Sequence, residues 1–394
     1  MPVSRVDTGP AKGAPPFLPY GRQQITEDDV QAVAEALRSP MITQGPTIDA
    51  FEDAVAEYLG ARHVVAFSNG TAALHGAAHA AGLGPGDEVL VPPITFAASA
   101  NCALYVGAHP RFVDIDRATW NLDVPRAVSE VGPSTRAIIP VSFTGLPVDL
   151  GPLDAVRGDV TIIEDAAHAL GGERAGAKIG GPGGADMTCF SLHPVKSLTT
   201  GEGGLVTTED DELARRLRLF RTHGIAREDT APGPTDGAWW MEMQDLGFNY
   251  RITDFQCALG LSQLRRLDGW VARRNEIAQR YRELLSDEER IGPPPEARPG
   301  DLHGHHLYVV HVRDGAEARL RVFNDLRVAG IGVQVHYIPT YRFPYYRSTL
   351  GYPQDACPEA ERYYAGAISL PMFPAMTDGD VERVVDALRK ALDA

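Results

Sequence analysis

The chain has 394 residues, of which 44% are hydrophobic and 23% are charged, an ordinary composition for a folded protein. Its 37 basic and 52 acidic residues leave a formal net charge of −15. A surface this acidic argues against nucleic acid or an anionic membrane as a partner held by bulk electrostatics. Small anionic ligands stay compatible with it, because a pocket can bind them through backbone amides or local positive charge.

The cysteines and the N-terminus indicate the cellular compartment. The cysteines stand singly and far apart, so neither a zinc ribbon nor a disulfide framework is predicted; they are Cys102, Cys189, Cys257 and Cys357. No apolar stretch follows the N-terminal residues, so no signal peptide is expected, and Pro92 and Pro93 interrupt the uncharged segment 89–108. We therefore expect a soluble, cytoplasmic protein with no membrane span and no metal site.

The first predicted elements along the chain are a tail and a helix. Residues 1–18 are rich in Gly, Pro and Ala without periodicity and predict a loose tail. A helix is then predicted after Thr26, which stands three residues before Asp29 in the spacing of a capping box. One face of this helix carries the apolar side chains Val30, Val33 and Leu37.

Short apolar runs then alternate with helical periods up to residue 220. Strands are predicted at His63–Phe67, Glu88–Val91, Arg111–Ile115, Ala137–Val141, Val160–Glu164 and Gly204–Thr207. Helices are predicted at Thr71–Ala81, Ala98–Val106, Leu150–Val156 and Asp211–Phe220. This alternation predicts an α/β fold in which helices cover both faces of a mostly parallel sheet, with ligand sites at the carboxyl ends of the strands.

The rest of the chain indicates a second, smaller α/β unit. Residues 225–243 form a Pro/Gly-rich insertion, and Thr253–Leu285 predicts one or two long helices. A second alternation of strands and helices is predicted at Leu307–Val312, Ala316–Val328, Ile331–Val335 and Asp378–Leu392. We therefore expect a large domain over residues 19–268 and a small C-terminal domain over residues 269–394.

Two segments at predicted strand ends carry candidate chemistry, although no P-loop and no dinucleotide-binding glycine fingerprint occurs. Ser68–Ala73 joins a strand to a helix and could be either a phosphate-binding turn or an ordinary capped turn. Ile162–His168 contains Glu164 and Asp165, with His168 three residues later. Asp165 could cap the next helix, or it could stay ionised beneath a cationic ring nitrogen, as a pyridoxal phosphate enzyme requires.

Lysine is rare in this chain, and one lysine is unusually placed. The lysines are Lys12, Lys178, Lys196 and Lys390, so nearly all of the 37 basic residues are arginines. Lys12 lies in the tail, Lys178 in a predicted Gly-rich hairpin and Lys390 in the last helix. Lys196 follows an apolar Pro-Val pair and precedes a glycine-rich turn, which makes it the best-placed amine nucleophile, a role that arginine cannot fill.

A last polar segment, Glu242–Arg251, precedes the long helical region. It contains Asn249 and Arg251, which could be surface polarity or a contribution from a second subunit to a site. The residues alone leave both interpretations open.

Four ordered motifs resemble those of the DegT-type sugar aminotransferases: Gly70-Thr71-Ala72, the strand end 164–168, Ser191 and Lys196 before the turn 199–204, and Phe248–Arg251. The resemblance extends from about Tyr20 to the C-terminus. It implies an aspartate-aminotransferase-like fold, known as fold type I, with pyridoxal 5′-phosphate as cofactor. It also implies L-glutamate and a nucleotide-linked keto sugar as substrates, and a homodimer with a shared active site.

The resemblance implies roles for single residues as well. Lys196 would form a Schiff base with the cofactor and then shuttle a proton, and Asp165 would pair with the pyridinium nitrogen. His168 would lie near the ring oxygen, and Phe96 would stack on the ring. The phosphate would be held by the amides of Thr71 and Ala72, by the Ser191 hydroxyl and, across a dimer interface, by Asn249.

One branch of this family is more similar than the others, through His193–Lys196, Glu242–Gly247 and Gly330–Pro339. That branch serves pseudaminic acid biosynthesis. It moves an amino group from L-glutamate to C4 of UDP-2-acetamido-2,6-dideoxy-β-L-arabino-hexos-4-ulose, which gives UDP-4-amino-4,6-dideoxy-N-acetyl-β-L-altrosamine. The similarity implies that His336, Tyr337 and Arg251 lie near the sugar.

There are four alternatives to this function. An aminotransferase for another dTDP- or GDP-linked keto sugar would carry the same catalytic residues. A sugar dehydratase of this fold carries histidine where Lys196 stands. A non-catalytic sensor or assembly protein would have no chemical need for Lys196, Asp165 and His168 together, and a nicotinamide-dependent oxidoreductase is disfavoured by the missing glycine fingerprint.

Overall fold

The computed structural model describes residues 16–227 and 236–394. The strands within these residues are, in chain order, β1 His63–Phe67, β2 Glu88–Val91, β3 His109–Phe112, β4 Thr135–Ile138, β5 Thr161–Asp165, β6 Glu173–Arg174, β7 Ala177–Lys178, β8 Met187–Ser191, β9 Gly204–Thr208, β10 Ile225–Arg227, β11 Met241–Met243, β12 Ile291–Gly292, β13 Tyr308–Val312 and β14 Ala367–Leu370. The α-helices within them are α1 Glu27–Arg38, α2 Pro46–Leu59, α3 Gly70–Ala80, α4 Ala98–Tyr105, α5 Val124–Ser129, α6 Asp211–Phe220, α7 Asp254–Leu264, α8 Leu267–Leu284, α9 Gly315–Val328, α10 Pro344–Leu350, α11 Pro358–Gly366 and α12 Asp378–Asp393.

The largest sheet has seven strands in the order β1-β9-β8-β5-β4-β2-β3. Strands β2, β3, β4, β5 and β8 run parallel to one another, and β9 runs antiparallel to both β8 and β1. Six strands therefore point the same way. Their carboxyl ends meet at one edge, where α/β sheets of this kind bind ligands.

Strand β1 shows how helices cover both faces of this sheet. Successive side chains of a strand point to opposite faces. Val65 and Phe67 pack in a core that includes α3 and α6, whereas Val64 and Ala66 pack in a core that includes α2 and α7. The sheet is therefore the middle of three layers, and the predicted α/β fold with a mostly parallel sheet is confirmed.

Most predicted elements are confirmed, with shifts at their ends. The bounds of β1, β2 and α6 agree with the prediction, and β3 and β4 each begin two residues earlier than predicted. The predicted helical stretch Thr253–Leu285 is divided into α7 and α8. The predicted hairpin around Lys178 is formed by β6 and β7.

Other elements differ from the prediction. Helix α2 and strand β8 were not predicted, although α2 has a proline at its first position, a typical helix start. Residues Ile331–Val335 form no strand, because Ile331 and Gln334 each make an isolated bridge to a different partner, Leu18 and Ser369 respectively. The predicted helix Leu150–Val156 is a short 3-10 helix, Gly151–Ala155.

Helix α1 confirms its predicted start but not a buried apolar face. The capping box between Thr26 and Asp29 is present. Val30 and Leu37, however, are 50% and 54% exposed. The buried side of α1 carries Asp29 instead, whose carboxylate accepts hydrogen bonds from Ser262 and Arg266 on the neighbouring α7 region. The apolar stripe of α1 is thus left uncovered in a single chain.

A smaller sheet lies in the C-terminal part. It has the order β12-β13-β14, with antiparallel pairing, and its core includes side chains of α8, α9 and α12. Leu18 joins this core, since its amide donates to the Gly330 carbonyl and its own carbonyl accepts from the Gly332 amide. Leu18, the last residue of the predicted tail, thus packs in this core. Residues 1–15 of that tail lie outside the described residues. Helix α8 crosses the predicted domain boundary at 268/269 without a break. No turn or loop marks the boundary there, so it stays a prediction.

The Pro/Gly-rich insertion begins and ends in a two-stranded ribbon of β10 and β11. Its residues 228–235 lie outside the described part, and Trp239 beside β11 is 74% exposed. Among residues 16–227 and 236–394, no helix has the length and apolarity needed to cross a bilayer. The same residues contain no group of three or more His, Cys, Asp or Glu side chains arranged to hold a metal ion.

Gly204 lies where β9 passes the N-terminus of α3. A Cβ atom at this position would lie 2.4 Å from the Asn69 carbonyl oxygen and 2.8 Å from the Gly70 nitrogen. Both are backbone atoms, so neither can move aside without shifting the start of the helix. The close approach of the two segments therefore requires glycine at position 204.

We expect Gly204→Ala to lower the free energy of unfolding by about 1–3 kcal/mol, because the backbone has to shift. Gly84→Ala is the matched control, since a Cβ atom at Gly84 meets nothing within 4 Å, and we expect it to change the free energy by less than about 0.5 kcal/mol. Urea unfolding followed by circular dichroism measures both variants. Equal losses in the two would contradict the close-approach argument.

Candidate active site

A cavity of about 800 Å3 lies at the carboxyl-terminal edge of the large sheet. The segments that follow β1, β2, β5 and β8 all reach it, because the ends of these strands share that edge. Most of the predicted site residues line this cavity: Thr71, Ala72, Phe96, Asp165, His168, Ser191, Lys196, His336 and Tyr337. The fold thus brings together side chains that are up to 266 positions apart in the chain.

One wall of the cavity is the N-terminus of α3. The Asn69 side chain caps this helix by accepting a hydrogen bond from the Ala72 amide at 2.8 Å. Gly70 and Thr71 supply the first amides of the helix, for which no intrahelical acceptor exists. Ser191 lies so close that a Cβ atom on Gly70 would be 2.9 Å from the Ser191 Cβ. Free amides, a helix dipole and a nearby hydroxyl suit an anion such as phosphate.

Lys196 projects from the loop between β8 and β9. Its amide donates to the His193 carbonyl at 2.9 Å, and Thr199 ties the loop down by donating from its hydroxyl to the Leu192 carbonyl. Burial lowers the pKa of Lys196 to about 8, although the nearby Asp165 carboxylate acts in the opposite direction. A substantial fraction of this amine is therefore neutral near pH 7–8, which a nucleophile requires.

Asp165 ends β5 at the floor of the cavity and is 5% exposed. Its Oδ1 accepts from the Ala167 amide at 3.1 Å, and its Oδ2 accepts from the Ser99 hydroxyl at 2.5 Å. Burial raises the pKa of Asp165, while these two hydrogen bonds and Lys196 lower it in part. The carboxylate would gain most from a cationic partner in the cavity, since that would offset its burial.

His168 lies beside Asp165 and is kept neutral. Burial lowers its pKa well below the ordinary range, and the positive charge of Lys196 acts in the same direction. Its Nε2 lies 3.3 Å from the Tyr337 hydroxyl. Its Nδ1 is buried without a hydrogen-bond partner among the described residues, which leaves one ring nitrogen for a ligand.

The opposite wall comes from the segment 336–337 and from Phe96. The His336 Nδ1 lies 2.8 Å from the Ser369 hydroxyl, and burial lowers the pKa of His336 to about 3. Tyr337 has its ring centroid 6.2 Å from that of Phe96, which is 61% exposed at the cavity mouth. This wall is aromatic and neutral, which suits a sugar or a flat ring better than an ion.

Two predicted site residues lie elsewhere in the single chain. Asn249 is exposed and does not line the cavity. Arg251 lines a different cavity of about 1100 Å3, together with Arg215, Arg218, Arg221 and Arg227. Tyr250, between the two, does line the cavity that holds Lys196. The structure therefore does not bring Asn249 or Arg251 together with Lys196 within one chain.

Three residues of this region were missed from the sequence. Tyr20 and His306 line the cavity, and Ser99 lies behind it against Asp165. The ring centroids of His306 and His168 are 4.4 Å apart. The cluster of histidines at 303, 305 and 306 is a sequence pattern that could have indicated a site residue. Ser99 belongs to no such pattern.

These side chains fit a ligand with a reactive carbonyl, an aromatic ring with a basic nitrogen, and a phosphate group. Lys196 supplies a partly neutral amine, Asp165 a buried carboxylate, and the α3 N-terminus a set of unpaired amides. The Nδ1 of His168 is a buried polar atom without a hydrogen-bond partner among the described residues, which a polar group of the ligand could satisfy. Pyridoxal 5′-phosphate combines these chemical features.

This fold and this cavity define a transaminase of fold type I that depends on pyridoxal 5′-phosphate. Residues 23–389 match the DegT/DnrJ/EryC1/StrS aminotransferase family. The chain therefore belongs to that family of sugar aminotransferases. The predicted family, enzyme class, fold type and cofactor are confirmed.

Three relatives show how far the similarity extends. The spore coat polysaccharide biosynthesis protein SpsC of Bacillus subtilis (strain 168) is 39% identical over 378 residues, which cover 95% of this chain and 96% of SpsC. The putative sugar aminotransferase Spr1654 from Streptococcus pneumoniae has been solved in PMP and PLP forms, and both are 29% identical to this chain with a TM-score of 0.89. The match to the PMP form covers 95% of this chain and 99% of the Spr1654 chain. Helicobacter pylori PseC, an aminotransferase involved in the biosynthesis of pseudoaminic acid, is 29% identical with a TM-score of 0.87, covering 96% of this chain and 99% of PseC.

The pKa values of Lys196 and Lys178 can be compared in the same molecule. Burial lowers the pKa of Lys196 to about 8. The pKa of Lys178 is raised, because its hydrogen bonds to Asp268 and Glu173 outweigh its partial burial. In the apoenzyme we therefore expect the acetylation rate of Lys196 to rise with pH around a midpoint near 8, where Lys178 is still charged.

Competitive labelling with acetic anhydride, read at each lysine by mass spectrometry, measures both midpoints. A Lys196 midpoint near the ordinary lysine value of about 10.4 would contradict the desolvated site. We expect Asp165→Asn to move the Lys196 midpoint to lower pH, because the carboxylate of Asp165 stabilises the charged amine.

Proposed function

We propose that this enzyme transfers the amino group of L-glutamate to C4 of UDP-2-acetamido-2,6-dideoxy-β-L-arabino-hexos-4-ulose, giving UDP-4-amino-4,6-dideoxy-N-acetyl-β-L-altrosamine. The observation that carries this proposal is the position of the segment Gly330–Pro339. That segment resembles the branch with this activity, and its His336 and Tyr337 line the same cavity as Lys196. The structural similarity to PseC, an aminotransferase involved in the biosynthesis of pseudoaminic acid, supports a role in the same biosynthesis.

The proposal gives each residue of the site one role in binding or in proton transfer. Bound pyridoxal phosphate supplies an electron sink for the carbon that carries the amine. Lys196 would hold the cofactor through its carbonyl carbon. Once the amino donor has released Lys196, its neutral Nζ would carry a proton between the substrate carbon and that carbonyl carbon. Asp165 would hold the ring nitrogen in its protonated form, His168 would contact the ring oxygen, and Phe96 would cover the ring. His336 and Tyr337 orient the sugar.

The phosphate and the second subunit complete the proposed site. Thr71 and Ser191 would hold the phosphate from one chain, and Ala72 would join them by exchanging its amide's bond to the Asn69 side chain for one to the phosphate. The partner subunit's Asn249 would reach the phosphate across the interface of a homodimer. The exposed position of Asn249 and the uncovered apolar stripe of α1 support such an interface. Arg251 would then meet the anionic part of the nucleotide-linked sugar. All four cysteines are free, which supports a reducing cytoplasm as the compartment.

A second candidate substrate has its own support. SpsC is 39% identical over nearly the whole chain, and its name refers to a spore coat polysaccharide. An aminotransferase acting on a different dTDP- or GDP-linked keto sugar would use the same catalytic residues. The two candidates differ in the sugar and the nucleotide, not in the chemistry at Lys196.

We expect the loaded enzyme to use glutamate and the UDP-linked 4-keto sugar with a kcat/KM on the order of 100-fold higher than with dTDP- or GDP-linked 4-keto sugars, because a site whose hydrogen-bonding groups match one substrate leaves them unpaired with another. Formation of 2-oxoglutarate and mass spectrometry of the amino sugar measure the reaction. Turnover on a dTDP-linked sugar alone would contradict the UDP proposal and leave the aminotransferase assignment in place. Lys196→Arg is the control, since it keeps the charge but lacks a nucleophilic amine, and it should lose at least about 1,000-fold in rate.

Mixing two inactive variants tests the shared site. We expect Lys196→Ala and Asn249→Ala each to lower activity strongly as homodimers. A heterodimer of the two contains one site with both native residues if Asn249 acts across the interface. An equal mixture that has exchanged subunits should therefore recover about a quarter of the wild-type activity.

The recovery is measured after denaturation and joint refolding, with size-exclusion chromatography to establish the assembly. If Asn249 acts within its own chain, no site in the heterodimer is complete and no activity returns. That outcome would contradict the proposed contribution of the partner.

A further inference from the structure

A row of two hydroxyl groups leads from the start of α4 to the Asp165 carboxylate. The Ser99 Oγ lies 2.5 Å from the Asp165 Oδ2 and 2.6 Å from the Thr95 Oγ1. Thr95 is 2% exposed and Ser99 is fully buried, so water does not compete for these contacts. The three side chains form a continuous buried hydrogen-bonded row.

The direction of these hydrogen bonds follows from counting hydrogens. A serine hydroxyl has one hydrogen to donate. Ser99 has three acceptors in reach, the Asp165 carboxylate at 2.5 Å, the Thr95 hydroxyl at 2.6 Å and the Phe96 carbonyl at 3.2 Å. The shortest contact, to a group that can carry charge, is the strongest one. Ser99 therefore donates to Asp165, Thr95 donates to Ser99, and the two bonds polarise each other toward the carboxylate.

The position of Thr95 is itself fixed by the C-terminal part of the chain. The Thr340 amide donates to the Pro93 carbonyl at 2.9 Å. The Thr340 hydroxyl reaches both the Pro93 and Thr95 carbonyls, at 3.1 and 3.3 Å. These hydrogen bonds from Thr340 hold the backbone of Thr95 in place. The Thr95 and Ser99 hydroxyls are therefore positioned before any ligand binds.

We propose that Thr95 and Ser99 are positioning residues that keep Asp165 ionised and aimed at the ring nitrogen of the cofactor. This inference rests on the proposed role of Asp165. The Ala167 amide holds the other oxygen, Oδ1, so the plane of the carboxylate is set from two sides. Neither hydroxyl takes part in the reaction, and their effect passes through Asp165 alone.

The test compares how the apoenzyme binds pyridoxal phosphate and 1-deazapyridoxal phosphate, in which a C–H group replaces the ring nitrogen. Asp165 can pair only with the first ligand, so the ratio of the two dissociation constants isolates that pairing. We expect Ser99→Ala to reduce the preference for pyridoxal phosphate by about 10-fold, because a hydrogen bond to a charged group is lost. Thr95→Val should reduce it by a smaller factor, and Thr95→Ser should restore it.

Ser142→Ala is the matched control. The Ser142 hydroxyl donates to the buried Glu164 carboxylate at 2.6 Å, one residue before Asp165. This variant removes the same kind of hydrogen bond from the same strand but not from Asp165. It should lower the melting temperature while leaving the ligand preference within about twofold.

The outcomes separate this inference from the proposed function. If Asp165→Asn reduces the preference and Ser99→Ala and Thr95→Val leave it unchanged, the positioning role is overturned while the proposed role of Asp165 survives. If Asp165→Asn leaves the preference unchanged, the proposed pairing with the ring nitrogen fails, and the hydroxyl row loses its purpose. Thr95→Val keeps the shape of the side chain, so it decides the matter even if Ser99→Ala does not fold.

Discussion

The structure depends on placing an amine and a carboxylate, Lys196 and Asp165, in one partly dry cavity. Burial opposes the charge on both groups, and each group favours the charge on the other. The sheet edge, the helix dipole of α3 and the neutral wall around His336 all surround this pair. The protein thereby holds two reactive groups ready, at a cost in desolvation that a bound cofactor would offset.

Much of the candidate site could be predicted from the sequence. A strand that ends in an acid, a glycine turn before a helix and a single lysine in an apolar context are local patterns. The parallel arrangement then brings their ends to one edge, which is why Thr71, Asp165 and Lys196 line one cavity. The composition also helped, because a chain with four lysines has few candidates for an amine.

The remainder depended on contacts that local patterns do not contain. Ser99 contacts Asp165 only because the first turn of α4 packs against the end of β5, and no local pattern in the sequence shows that contact. The apolar spacing of Val30 and Leu37 is real, but α1 packs through Asp29 and leaves that stripe outward. Ile331–Val335 alternates like a strand, yet its neighbours Leu18 and Ser369 come from opposite ends of the chain, so no ladder forms. In each case tertiary packing overrode a local preference.

The four free cysteines have a practical consequence. Each is buried, and burial raises the pKa of each thiol, to about 12 for Cys102 and Cys357. Reagents that modify sulfur require an accessible thiolate, so the native protein should stay inert toward them. A single cysteine introduced on the surface would then be the sole point of attachment in each chain for a fluorophore or spin label, and its surroundings could be probed without first removing any natural residue.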